Sequence, residues 1–137
     1  MTRTDNDGAP PCPVAVIDDD HGVRTALCNL LDSAGYRSCG FAAGEEFLAA
    51  ACLHEAACAI VDLGLSCMSG FELAERLARL RPGLPVILMS ARDGAAQRQR
   101  AAELDAAALL HKPFDAETLL ARLRAILAAP GSGTMRS

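Results

Sequence analysis

Four short apolar runs constrain this chain more than anything else in it: "VAVI" (14–17), "CAIV" (58–61), "VILM" (86–89) and "AAALL" (106–110). Each stops at a polar group: Asp18, Asp62, Ser90 and, just beyond the last run, Lys112. Runs of this length without polar alternation fit strands covered on both faces, as in a parallel sheet. A more polar stretch, "YRSCGF" (36–41), fits an edge strand.

Helical spacing fills the intervals. Val23, Leu27, Leu30, Leu31 and Ala34 recur on one face, Gly35 supplies the stop, and Asp19 or Asp20 can cap the start. A short helix is predicted over 44–52. A longer one follows the loop "LGLSCMSG", with Leu73, Leu77 and Leu80 inward and Glu72–Arg76 and Glu75–Arg79 paired outward. The helix predicted over 93–104 is weakly amphipathic, rich in alanine and arginine. Asp115 caps a last helix bearing Leu119, Leu123, Ile126 and Leu127. Five strands alternating with five helices give a three-layer α/β fold, because right-handed strand–helix–strand crossovers are the economical way to use that order.

The chain has 137 residues, enough for one well-cored domain. The domain is expected over 13–128, between a flexible leader (1–12) and a flexible tail or severed linker (129–137). A formal charge of −4 with no basic tract argues against direct nucleic-acid binding. No apolar run is long enough to cross a bilayer and the start lacks a signal-peptide core, so no membrane partner and a cytoplasmic location are expected. The six cysteines (Cys12, Cys28, Cys39, Cys52, Cys58, Cys67) contain no CxxC pair and read as small hydrophobes rather than a disulfide or metal framework, except Cys67, a loop thiol near Asp62 expected to be inert because no adjacent cation favours its thiolate.

In an open parallel sheet the strand ends share one edge, and ligands bind in the crevice there. That edge collects Asp18, Asp19, Asp20, Asp62, Ser90 and Lys112. Crowded carboxylates repel, and a hard divalent cation such as Mg²⁺ relieves the repulsion. One carboxylate can then act as a nucleophile on phosphorus, with Lys112 and the Ser90 hydroxyl holding phosphoryl oxygens. Pro113 would fix the loop after the lysine, through a cis bond if the turn demands one.

Taken together, "VIDDD", "IVDLGLSCMSG", "VILMSA" and "HKPF" resemble the receiver domain of bacterial two-component response regulators, over nearly the whole chain. "FELAERL" resembles receivers that precede helix-turn-helix transcription domains. The resemblance implies a flavodoxin-like (βα)5 fold with strand order 2-1-3-4-5. It implies Asp62 as phosphoacceptor, Asp19 as a direct Mg²⁺ ligand, Asp18 holding a metal-bound water, and the Gly64 carbonyl as a third protein ligand. It puts Ser90 at the switch hydroxyl position, Lys112 at the phosphoryl-binding lysine, and Leu109 where an aromatic switch residue is usual. Ser66 stands where proline is usual, and Asp105 where glycine is common.

The implied partners are a histidine kinase and an output domain or downstream effector. The chain would catalyse only its own phosphorylation and dephosphorylation. A phosphorylation-dependent homodimer through the 93–104 helix and last strand is also implied, although no large apolar stripe marks that face. Two alternatives are a degenerate receiver acting as a phosphorylation-independent interaction module and an aspartate-nucleophile phosphatase of haloacid dehalogenase type. In the latter the nucleophile would be Asp18.

Overall fold

The computed structural model describes residues 13–92 and 94–128, so the expectations for the leader, the tail, Cys12 and Asp93 lie outside the described residues. In chain order the elements are β1 (Val14–Ile17), α1 (His21–Ser33), β2 (Ser38–Phe41), α2 (Gly44–Leu48), α3 (Cys52–Glu55) and β3 (Cys58–Asp62). They continue with α4 (Gly70–Leu80), β4 (Val86–Ser90), α5 (Ala95–Glu103), β5 (Ala108–His111) and α6 (Ala116–Ala128). The strands form one parallel sheet in the order β2-β1-β3-β4-β5.

Alternate residues of the central strands enter two different cores, which is why the runs are apolar throughout. Ala15, Ile17, Ala59, Val61 and Leu88 pack with Phe47, Leu53, Leu73, Leu77 and Ala101 from α2 to α5. Val14, Val16, Ile60, Ile87, Met89 and Leu110 pack with Leu27 and Leu31 of α1 and Leu119 and Leu123 of α6. At ~25 cal/mol per Å² of apolar surface removed from water, these two layers supply most of the driving force for folding.

Local chemistry sets the element ends. The Asp20 carboxylate accepts from the Val23 N–H at 3.1 Å and caps α1, and Gly35 ends it at φ 94°. Ser69 caps α4 by accepting from the Glu72 N–H at 3.1 Å. Asp115 caps α6 by accepting from the Thr118 N–H at 2.7 Å. Asp105 adopts φ 60° after α5, the left-handed turn that asparagine-like side chains and glycine tolerate.

The structure corrects three local expectations. The 44–52 helix is two short helices, α2 and α3. Phe47 and Leu53 are both buried in one core, yet six residues of continuous helix would set them about 120° apart around its axis. Leu80 is 57% exposed, because the buried stripe of α4 runs through Gly70, Leu73, Ala74 and Leu77. The next position on that line is Arg81, whose guanidinium donates to the carbonyls of Leu53 and Ala56. Finally, Glu75 pairs with Arg100 of α5 at 3.0 Å rather than with Arg79, while Glu72–Arg76 forms as expected at 3.4 Å.

Candidate functional site

Three strands carry their ladders one residue past the sheet and so fix the rim. The Asp18 N–H donates to the Phe41 carbonyl (3.1 Å), Leu63 N–H to the Met89 carbonyl (2.8 Å), and Lys112 N–H to the Ser90 carbonyl (2.7 Å). Asp18, Asp62, Ser90 and Lys112 are thereby presented on one edge by backbone bonds that owe nothing to their side chains.

At the centre is a cluster of carboxylates. Oxygens of Asp18, Asp19 and Asp62 all lie within 4.8 Å of one another. Asp18 is fully buried, Asp62 nearly so, and Asp19 faces solvent. The Lys112 ammonium, 94 residues along the chain from Asp18, lies 3.2 Å from Asp18 Oδ2 and 3.3 Å from Asp62 Oδ1. A lysine closing an apolar strand is thus held between two acids.

Burial drives the Asp18 carboxyl above its ordinary value of 3.8 and the Asp62 charge adds to the rise, while the Asp20 N–H (2.9 Å) and Lys112 oppose it. Burial works against the Lys112 charge, but its bond to Asp18 and the charges of Asp18 and Asp62 outweigh this and hold its pKa above 10.5. Three carboxylates facing one ammonium leave two negative charges without a partner in this group, the charge of one divalent cation. All the donors are oxygens, which suits Mg²⁺ rather than a thiophilic metal. The backbone of Gly64 lies beside the Asp62 carboxylate: a Cβ there would sit 3.5 Å from Asp62 Oδ2. The residues expected to hold Mg²⁺ therefore fit it.

A cleft of about 360 Å³ opens beside the acids, lined by Asp62, Gly64, Phe71, Ser90, Arg92 and Lys112 among others. Ser90 is buried in its wall, but its hydroxyl turns to its own loop: it donates to the Arg92 carbonyl at 2.7 Å and accepts from the Arg92 N–H at 3.0 Å. The structure therefore brings Ser90 to the cleft without directing its hydroxyl at Asp62. Leu109 is half-buried against the core under α4 and α5 and does not line the cleft. Pro113 follows a cis peptide bond from Lys112 and lines an apolar recess with Val23, Leu27 and Phe114.

Sequence reading missed several participants. Gly70 opens α4 directly against the phosphoacceptor candidate: a Cβ there would meet the Asp62 carbonyl oxygen at 2.6 Å and Leu63 Cα at 2.7 Å. Its place in "MSG" before an apolar helix was the available signal. The Arg24 guanidinium donates to the Asp18 carbonyl at 2.7 Å, and Ser66 Oγ donates to Asp19 Oδ2 at 2.6 Å across 47 residues of chain. His21 and His111 are exposed and outside the acid cluster, and His21 Nδ1 lies 3.2 Å from Arg24. The five described cysteines are free thiols. Burial pushes Cys58 up to about 12; burial, with a hydrogen bond to Cys39, pushes Cys52 up to about 12, so both stay protonated. Among the described residues no helix is long and apolar enough to cross a membrane.

Comparison with known proteins gives a consistent result. A family model described as the response regulator receiver domain matches residues 14–124. The transcriptional regulatory protein FixJ of Azorhizobium caulinodans is 35% identical over 115 residues, covering 84% of this chain and 54% of that protein. CreB of Escherichia coli, also named a transcriptional regulatory protein, is 32% identical over 114 residues, covering 83% and 50%. The chain spans about half the length of these curated relatives. Among solved structures, the non-phosphorylated HemR receiver domain of Leptospira biflexa superimposes with a TM-score of 0.78 at 29% identity, covering 87% of this chain and 95% of that one. A CheY-like receiver domain protein of Methanospirillum hungatei gives 0.78 at 25% identity, covering 85% and 94%.

Proposed function

The chain belongs to the response regulator receiver family, and from that premise we propose that Asp62 accepts a phosphoryl group from the phosphohistidine of a histidine kinase. The observation that carries this reading is the Lys112 ammonium bonded to both Asp18 and Asp62 beside an open cleft. A plain surface acid would have neither the buried neighbour nor the shared lysine.

In the transfer, an Asp62 carboxylate oxygen attacks phosphorus, the P–N bond to the donor imidazole breaks, and its electron pair stays on the leaving nitrogen. Mg²⁺ held by Asp19, Asp62 and the Gly64 carbonyl, with Asp18 reaching it through water, would supply neutralisation of the phosphoryl charge. Lys112 already lies 3.3 Å from the Asp62 oxygen, and its ammonium binds a phosphoryl oxygen once the acyl phosphate forms. Ser90 contributes by turning its hydroxyl from Arg92 toward the phosphoryl group, which frees the loop after β4 to move. Hydrolysis of the acyl phosphate resets the site, so the chain turns over only its own modification.

The output passes to a further domain or a partner protein by shifting the population of α5 and β5 positions. Leu109 offers no ring to rotate, so the signal travels by the loop after β4 and the packing of α5. A cytoplasmic location and a homodimer through α5 and β5 belong to the same reading, and the charge of the chain keeps it off nucleic acid.

Intact mass after incubation with acetyl phosphate and Mg²⁺ tests the proposal, with Asp62→Ala alongside. One added phosphoryl group in the parent and none in the variant is the expected result. Labelling retained in Asp62→Ala would overturn the assignment, and its loss in Asp18→Ala instead would point to a phosphatase-type nucleophile. A parent that binds Mg²⁺ without ever being labelled would point to a fast self-hydrolysing receiver or to an interaction module.

A further inference from the structure

Lys112 serves two of the three clustered carboxylates, and the third is held differently. Asp19 has no salt-bridge partner among the described residues; its recorded bond is the 2.6 Å contact from the Ser66 hydroxyl to Oδ2. Asp19 is also the exposed member of the cluster, so its side chain has solvent to turn into. Left alone, an exposed carboxylate rotates away from two like charges, since turning toward water relieves the repulsion. Here its oxygen instead stays within 4.8 Å of Asp18 and Asp62.

The donor is well placed to impose this. Ser66 is exposed, but Leu65 and Met68 on either side of it in the loop are buried in the core under β3 and α4. The hydroxyl is therefore offered from backbone anchored nearby on both sides, and little further ordering is needed to make the bond. Proline, usual at this position in the family, has no group that could donate it.

We infer that Ser66 is a positioning residue, whose hydroxyl holds the Asp19 carboxylate in the acid cluster and so prepares the site for Mg²⁺. This rests on the reading of Asp19 as a metal ligand. It adds that the Ser66–Asp19 bond belongs to the metal-ready arrangement and does not compete with it. One Asp19 oxygen stays with Ser66 while the other is free to face the cation, and preorganising a ligand in this way lowers the cost of binding.

Calorimetric titration of Mg²⁺ into EDTA-stripped protein at fixed ionic strength provides the test, on the parent, Ser66→Ala and Ser66→Thr. Loss of the hydroxyl should weaken Mg²⁺ binding by roughly three- to ten-fold, the worth of one hydrogen bond. Threonine should restore binding to within about two-fold, because it keeps the donor. Melting curves in EDTA accompany each titration. A Ser66→Ala protein that melts lower but binds Mg²⁺ like the parent would mean that the bond only ties the loop down, and the proposal would fail. Tighter binding in Ser66→Ala would overturn it too, showing the hydroxyl to be a competitor of the cation. A folded parent with no Mg²⁺ affinity would remove the metal site itself. A parent that binds Mg²⁺ and is labelled by acetyl phosphate, matched by Ser66→Ala in affinity, would remove only the role of Ser66.

Discussion

Asp18 has no solvent contact, a lysine 3.2 Å away, and two carboxylates within 4.8 Å. Whether it helps or harms the metal-free fold depends on which effect wins. Its pKa is raised above 3.8 by burial first, so the lysine does not fully compensate. Between 3.8 and the raised value the native state holds more protons than the unfolded chain. Stability therefore falls as pH rises through that window and stays on the lower plateau above it. Asp18→Asn removes the charge and keeps an oxygen for the Asp20 N–H. Asp18→Asn also gives up the bond that helps hold Lys112 charged, so if burial is the larger effect this variant should melt above the parent in EDTA at pH 7. The difference should shrink as pH falls through that window and be gone below about 4, where the parent carboxyl is protonated in both states. A lower melting temperature for Asp18→Asn at pH 7 would show that the Lys112 pair outweighs burial. At this scale the sequence revealed which residues reach the rim, because strand ends are marked by where apolar runs stop. It did not reveal where Ser90 and Ser66 point, since each hydroxyl chooses among rotamers according to neighbours distant in the chain.

Among the longer helices, α5 is the least secured. Ala101 is its one buried residue, and its N-cap, Gly94, offers no side chain. By contrast α4 buries Gly70, Leu73, Ala74 and Leu77 behind a serine cap. Arg100 ties α5 to α4 from outside: it pairs with Glu75 at 3.0 Å and lies 5.1 Å from the centre of the Phe71 ring. The pair is exposed and so contributes little alone, but the ring contact lies beside the cleft that Phe71 helps to line. Arg100→Ala should speed amide exchange in α5 by roughly two- to five-fold, corresponding to about 0.5–1 kcal/mol, with α4 unchanged. Equal acceleration in both helices would mean that Arg100 supports the whole layer. The thin amphipathicity of α5 was visible in "GAAQRQRAAEL". The break between α2 and α3 was not, because it answers a demand of the core: Phe47 and Leu53 must enter one layer from positions that a single helix would turn apart. Leu80 misled for a related reason, as the stripe on α4 drifts toward Arg81 at its last turn.

For the whole molecule, the parallel sheet aims every strand end one way, so four separated stretches, ending β1, β3, β4 and β5, act as one site. That much follows from apolar runs alternating with helices. The order β2-β1-β3-β4-β5 came through the family resemblance, because alternation alone admits several orders. The consequence is that the proposed metal site exists only in the folded chain. Asp18, Asp19 and Asp62 meet only when β1 and β3 pair, and unfolding disperses them. A ligand bound by the native state alone stabilises it by mass action, about 2.7 kcal/mol at a hundredfold excess over Kd. For a domain of this size that is a rise in Tm of roughly 8–13 °C. Screening of surface charge could imitate part of the effect, so the comparison must be NaCl at the same ionic strength, which should raise Tm far less. Asp19→Asn separates the terms further. It lowers the charge of the cluster, so in EDTA it should melt no lower than the parent, yet most of its response to Mg²⁺ should vanish. A parent that responds equally to NaCl and Mg²⁺, or an Asp19→Asn protein that keeps the full Mg²⁺ shift, would mean that the cation acts on the molecule's diffuse charge and not at the sheet edge.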